Sequence, residues 1–279
     1  KTEHDWSLFY ELQTQRMMLE GKMPSGIFGE ANQARHIRIL KSWQKNLISL
    51  LETNWETLAN NIFQFHFGGL RKDLVDQGVS SSYKFISPPS LQFDYHALSE
   101  VEKKTTVING KTEWWYTNDS KNWKCMFFCE RQIKEKDWLR HFLDVVILRE
   151  ANLIPDEANV TGFCITADGK GRSRKINLPT KEQSKEYLAN MVQEINNGEN
   201  AILMPVESVL ELSKENLKVS EYNVRFNEWM ERKLLFTSGN MGISSQYGPV
   251  KFFDDVPFPE NPNKLMNSRF GLFFETFSM

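Results

Sequence analysis

Two aspartates and a lysine are the first residues of this chain that could do chemistry together. Pro155-Asp156 is followed by Asp168-Gly169-Lys170, a Pro-Asp and then an Asp-x-Lys pattern. Metal-dependent nucleases place two or three carboxylates around a divalent cation, with a lysine nearby to orient or activate the attacking water and steady developing phosphate charge. In a working site of the restriction-endonuclease-like class the second acid lies in a strand, where the pleat aims it into the sheet's edge. Here it falls on Asp168-Gly169, a turn dipeptide at a hairpin tip. The expectation is therefore a solvated turn and no catalytic residue, with Asp156, Asp168 and Lys170 as the alternative active-site set. Glu102-Lys103-Lys104 and Glu231-Arg232-Lys233 also fit an acid-x-lysine pattern, but such spacing is common in a chain that is 25% charged.

Other chemistry is thinner. Cys125 and Cys129 lie on one face of a predicted strand with no second Cys or His pair close enough for a zinc site, so they read as buried thiols. His4, His36, His66, His96 and His141 are scattered. There is neither a Gly-rich phosphate loop nor a nucleophile elbow, and the residues require no cofactor or metal. Two features could touch nucleic acid. Lys170, Arg172, Arg174 and Lys175 crowd "DGKGRSRK" as a compact positive patch able to pair with phosphates. Trp114, Trp115 and Tyr116 could offer an aromatic face to a base. Against these stand a merely solvated hairpin tip and a Trp pair with one member in the core.

The charge balance limits the partners. With 34 basic and 36 acidic residues, the chain cannot coat nucleic acid through bulk electrostatics, so any contact must be local. Aromatic residues reach 13%, with eight Trp and twenty Phe, which implies a large core, an extensive interface or both. The 279 residues suffice for one large domain or two modest ones. No run is apolar enough to span a bilayer, and three cysteines suit a reducing compartment, so a soluble cytoplasmic protein is expected. The opening "KTEHDWSLFY" starts at once in a helical pattern, which suggests a piece of a longer chain.

The elements that must position these groups follow from periodicity. Trp43, Leu47, Leu50, Leu51, Trp55 and Leu58 recur every three or four residues and predict a long amphipathic helix over about 32–60. Trp6, Phe9, Leu12 and Met17 predict its partner, across a joint, "LEGKMPSGIFGE", in which Gly26 and Gly29 free the backbone and Phe28 plugs the gap between the helices. Phe63, Phe65 and Phe67 alternate as a strand, and 68–89 reads as a loop closed by Pro88-Pro89. "KKTTVI" and "KTEWWYT" flank Asn109-Gly110 and predict a hairpin. "WKCMFFCERQI" predicts a strand, "KEKDWLRHFLDVVILRE" a helix, and "VTGFCIT" with "RSRKINLP" a second hairpin. Helices are expected over 181–197, closed by Gly198, and over 207–215 and 224–235, with a tail ordered by packing on the body. The sum is a mixed α+β, α/β-like chain with a core sheet and flanking helices. A helical pair over 1–62 packs on a sheet domain over 63–279, as one structural unit.

Read in order, these segments resemble the carboxy-terminal domain of the exodeoxyribonuclease V gamma subunit, the RecC family. "LEGKMPSGIFGE" resembles the family's Leu-Pro-x-Gly-x-Phe-Gly-Glu joint, with Met23 where Leu is usual. "KEKDWLRHFLDVVIL" resembles its lysine-rich strand end and Trp/Leu-rich helix, although Trp138 and His141 are spaced differently from the family's pair. "INLPTKEQSKEYLANMVQEINNGENAILMPVESVLEL" resembles its helix, Gly turn and following Leu-Pro-Phe-type segment, with Met204-Pro205-Val206 at the last. The resemblance implies a restriction-endonuclease-like (nuclease-like) fold without a working active site, in a DNA-repair and recombination helicase–nuclease. It further implies binding to the beta and alpha subunits of that complex and to DNA, with a part in strand separation or channelling; a pure protein-interaction module without DNA contact is the other alternative, and no membrane partner is expected.

Overall fold

The computed structural model describes residues 11–12, 14–21, 26–68, 83–86, 91–96, 103–119, 121–168, 170–197, 206, 209–210, 224, 228 and 262–277. In chain order, α1 (Gly26–Leu51) and α2 (Trp55–Asn61) lead into β1 (Ile62–Phe67) and β2 (Tyr83–Ile86). After them come β3 (Gln92–His96), β4 (Lys103–Val107), β5 (Gly110–Lys111), β6 (Trp114–Tyr116) and β7 (Asn122–Cys129). Next are α3 (Trp138–Glu150), β8 (Asn159–Thr166), β9 (Gly171–Ile176), α4 (Lys181–Asn196) and α5 (Pro262–Phe277).

The main sheet is mixed, in the order β2-β1-β6-β7-β8-β9, with β5 also paired to β1. β1 with β2 and β7 with β8 are parallel; the other pairings are antiparallel. The parallel step from β7 to β8 is carried by α3, as such a connection requires. Period-two alternation sorts the side chains onto two faces. Phe63, Phe65, Phe67, Trp115, Cys125, Phe127, Val160 and Ile176 meet Trp138, Phe142 and Val145 of α3, Leu188 of α4 and Phe273 and Phe277 of α5. Tyr116, Met126, Phe163 and Ile165 meet Leu47 and Leu51 of α1 and Leu58 of α2 on the other face. Trp115, Trp138, Phe142 and Phe273 are fully buried, each ring worth about 1.5–3 kcal/mol in transfer alone. The result is an α+β architecture with helices on both faces of a mixed sheet.

A bulge separates β5 from β6 where both run beside β1. Phe67 pairs with Gly110 and His66 with Lys111, yet Phe63 pairs with Trp115 and Ile62 with Tyr116. Gln64 and Phe65 therefore face Thr112, Glu113 and Trp114, one residue too many. The freed Glu113 N–H donates to Asp144 Oδ2 of α3 (2.8 Å), and the Phe65 N–H donates to Thr112 Oγ1 (3.0 Å). Burial pushes the Asp144 carboxyl well above the ordinary carboxylate range.

Several expectations need correction. The Asn109-Gly110 segment joins no hairpin: β4 pairs with β3 in a separate ribbon, whereas β5 and β6 pair with β1. Gly68, at φ +86, lets the end of β1 lie against Asn109; a Cβ there would fall 1.7 Å from the Asn109 side-chain oxygen. The helix expected over 32–60 is two helices. α1 ends where Glu52 takes φ 50 and the Thr53 N–H donates to the Ile48 carbonyl, and Asn54 then caps α2 by accepting from the Thr57 N–H (2.8 Å). Gly26 has the expected positive φ of 66, but Gly29 is helical and buried, and Phe28 is 76% exposed, so it plugs nothing. The strand "WKCMFFCERQI" stops at Cys129, and the expected loop 68–89 contains β2.

Other readings hold. β8, β9, α3 and α4 lie where periodicity put them, with Thr180 and Gln183 closing a capping box at the start of α4. The tail packs on the body through α5, where Phe273 is fully buried. Gly198 and the helices expected over 207–215 and 224–235 lie essentially outside the described residues.

Candidate nucleic-acid interface

Asp156 and Asp168 flank the two ends of β8, whose eight residues cover about 25 Å. They cannot share an ion. Asp156 belongs to a structural clamp: Arg149, only 4% exposed, donates through Nε to the Pro179 carbonyl (2.9 Å) and through Nη1 to the Ile154 carbonyl (2.6 Å). Its Nη2 reaches Asp156 Oδ1. Asp168 is turned into its own loop. It accepts from the Thr166 hydroxyl and the Lys170 N–H and lies 3.4 Å from Lys170 Nζ. The Thr166 hydroxyl, then the Lys170 N–H, hold its carboxyl below the usual carboxylate range. Among the described residues, no three His, Cys, Asp or Glu side chains converge as metal ligands.

The four basic residues do not form one patch. Alternation along β9 puts Arg172 and Arg174 on one face and Lys175 on the other, while Lys170 sits in the turn. Arg174 is half-buried: its guanidinium pairs with Glu135 (2.7 Å) and stacks over Trp138 (5.0 Å), so it holds the start of α3 against the sheet edge. Lys170, Arg172 and Lys175 are exposed. Of the residues that could offer an aromatic face, Trp115 and Tyr116 are core, at 0% and 2% exposure, and Trp114 is partly buried against the same packing, which agrees with the core reading of the Trp pair.

The buried thiols and imidazole offer no nucleophile. Burial lifts Cys164 to about 12 and Cys125 well above the ordinary thiol range, and all three cysteines are free and buried. His141, fully buried and 3.2 Å from the Phe163 carbonyl, is lowered by burial to about 4 and stays neutral.

The structure also assembles groups that the sequence reading missed. At the carboxyl ends of the parallel strands β7 and β8 lies an open cleft of about 560 Å³. Arg35, Arg38, Ile39 and Ser42 of α1 form one wall; Glu130, Arg131 and Gln132 after β7 and Thr166, Ala167 and Asp168 after β8 form the rest. The crevice outside the carboxyl ends of parallel strands is where open α/β sheets bind ligands. Arg131 donates to both carboxylate oxygens of buried Asp137, and Arg35 Nη2 lies 2.8 Å from Glu130 Oε2. Arg38 has no carboxylate partner among the described residues. A signal existed in the sequence: Arg35, Arg38, Ile39 and Ser42 are spaced i, i+3, i+4, i+7, one helical face carrying two guanidinium groups and a hydroxyl beside an apolar anchor.

Compared with known proteins, the chain matches no family model and no curated protein.

Proposed function

We propose that this chain is a non-catalytic, DNA-contacting domain of a helicase–nuclease subunit of the exodeoxyribonuclease V gamma type, built on a nuclease-like core. In this reading it helps assembly with the beta and alpha subunits and guides separated DNA strands. The observation that carries the reading is the arrangement around β8. The acid–acid–lysine set is split between the strand's two ends, with Asp156 given to the Arg149 clamp, while Lys170 and Arg172 remain exposed beside the Asp168 turn. A mixed sheet covered by helices on both faces fits the same reading. So does the local basic surface on a chain of net charge −2, which favours a few phosphate contacts over general adhesion. The exposed Leu19, Ile27 and Phe28, at 90%, 77% and 76%, favour a protein partner as a further component.

The test combines binding and cleavage. Labelled single-stranded and duplex oligonucleotides are titrated with the 279-residue chain at low salt, with and without magnesium or manganese. The reading expects salt-sensitive binding and intact DNA. Divalent-dependent cleavage that disappears on Asp168→Ala would replace it with an active nuclease, and failure to bind either oligonucleotide would remove DNA contact from the proposal.

A further inference from the structure

We infer that the cleft between α1 and the carboxyl ends of β7 and β8 is a phosphate-binding site, with Glu130 as the resident counter-ion that an incoming phosphate displaces. The inference rests in part on the DNA-contacting reading, but it names a different set of residues from the hairpin and can fail separately.

The geometry fixes which groups are available. Arg131 is committed to the structure, because both oxygens of Asp137, 4% exposed, accept from its guanidinium. The Asp137 carboxylate also accepts from the Lys134 N–H (2.8 Å) at the start of the turn that leads into α3. Asp168 is likewise occupied by Thr166 and Lys170. That leaves Arg35 and Arg38. They are one helical turn apart on the same wall, with Ser42 a further turn along. Arg35 meets Glu130 with both side chains about half exposed (56% and 52%), so water competes for each end and the pair is weakly held. Arg38 faces the same space with no carboxylate partner among the described residues.

A phosphate suits this arrangement better than Glu130 does. It can accept from two guanidinium forks and a hydroxyl at once, whereas the Glu130 carboxylate reaches Arg35 alone. The fork geometry also separates arginine from a lysine-lined surface, where a point charge would attract any anion. On entry the phosphate takes the Arg35 donors, and Glu130, already half exposed, turns to solvent. The shared ligand chemistry is a phosphate oxygen cluster, supplied either by a nucleic-acid backbone or by a free phosphate.

Isothermal titration of the 279-residue chain with a 12-mer oligonucleotide, and separately with inorganic phosphate, tests the inference in wild type, Arg38→Ala, Glu130→Gln and Arg172→Ala. Loss of one charged donor should weaken oligonucleotide binding about tenfold in Arg38→Ala. Removal of the competing carboxylate should tighten it about threefold in Glu130→Gln. These side chains are exposed, so the variants should melt with wild type, which separates lost binding from lost folding. Unchanged affinity in Arg38→Ala, or weaker binding in Glu130→Gln, would overturn the site. If Arg172→Ala weakens DNA binding while Arg38→Ala does not, the DNA-contacting reading survives and the cleft falls. If inorganic phosphate binds in an Arg38-dependent way and the oligonucleotide does not, the cleft stands with a free phosphate as its ligand and the DNA reading falls.

Discussion

Replacing Arg149 by Met should separate the two ends of one ion pair. The Arg149 side chain is 4% exposed and the Asp156 side chain 87% exposed, so the same contact is anchored in the interior at one end and dissolved in water at the other. Methionine keeps much of the apolar stem and withdraws the donors from the buried carbonyls of Pro179 and Ile154. Leaving buried acceptors unmatched costs about 1–3 kcal/mol each, so Arg149→Met should destabilise by about 3 kcal/mol. Asp156→Asn alters only the solvated end and should cost less than about 1 kcal/mol. Guanidinium denaturation at pH 7 should show a lowered midpoint with an unchanged slope for Arg149→Met, and a near-native curve for Asp156→Asn. Equal losses in the two variants, or a large loss confined to Asp156→Asn, would show that Asp156 is held by something other than the clamp and would reopen its candidacy as a functional acid.

Phe28→Ala should change stability by less than about 0.5 kcal/mol, because the ring is 76% exposed, whereas Phe142→Ala should cost about 3–5 kcal/mol from the fully buried core; chemical denaturation of both variants checks the contrast. His141 should titrate near pH 4, as burial sets it, and a ring midpoint near 6.5 by NMR would refute its buried placement. Because its folded pKa lies below the unfolded 6.5, its contribution is intact above that value and is lost as pH falls toward 4, on the order of 3 kcal/mol over the window. Asp144, pushed upward by burial, acts with the opposite sign, so the stability measurement is read as the difference between Asp144→Asn and the same variant carrying His141→Gln.

How much of this was legible in the sequence depends on the range of the interaction. The β8–β9 hairpin and α3 were readable because each is specified by local signals, alternation about Asp168 and an apolar helical stripe. α4 was readable as a helical run from Lys181, at whose start the structure adds the Thr180/Gln183 capping box. Asn109-Gly110 misled because a turn dipeptide states only that the chain can reverse, not which strands flank it. Pairing of β5 and β6 with β1 and of β4 with β3 was decided by distant partners. The break at Glu52 carried no Gly or Pro to announce it, since a non-glycine residue took the left-handed position. An apolar pair beside glycines need not be buried, and Ile27 and Phe28 stand 77% and 76% exposed. At the candidate site, the Arg35/Arg38 stripe was visible as a spacing, but its meaning depends on Glu130 and Thr166 arriving from two other strand ends. Arg174 looked like surface charge and became part of the core edge through Glu135 and Trp138, a contact no spacing reveals.

Local contact between a DNA backbone and a non-catalytic domain, as proposed, makes duplex binding depend on salt through a few named cations. Affinity of the 279-residue chain is measured across salt concentrations for wild type and for Lys170→Ala with Arg172→Ala, leaving Arg174 in place because it braces α3. Each neutralised phosphate contributes about −0.9 to the slope of log affinity against log salt, so the double variant should flatten the slope by up to about 2 and weaken binding alike on unrelated sequences. An unchanged slope and affinity, in a protein that melts as wild type does, would contradict the claim.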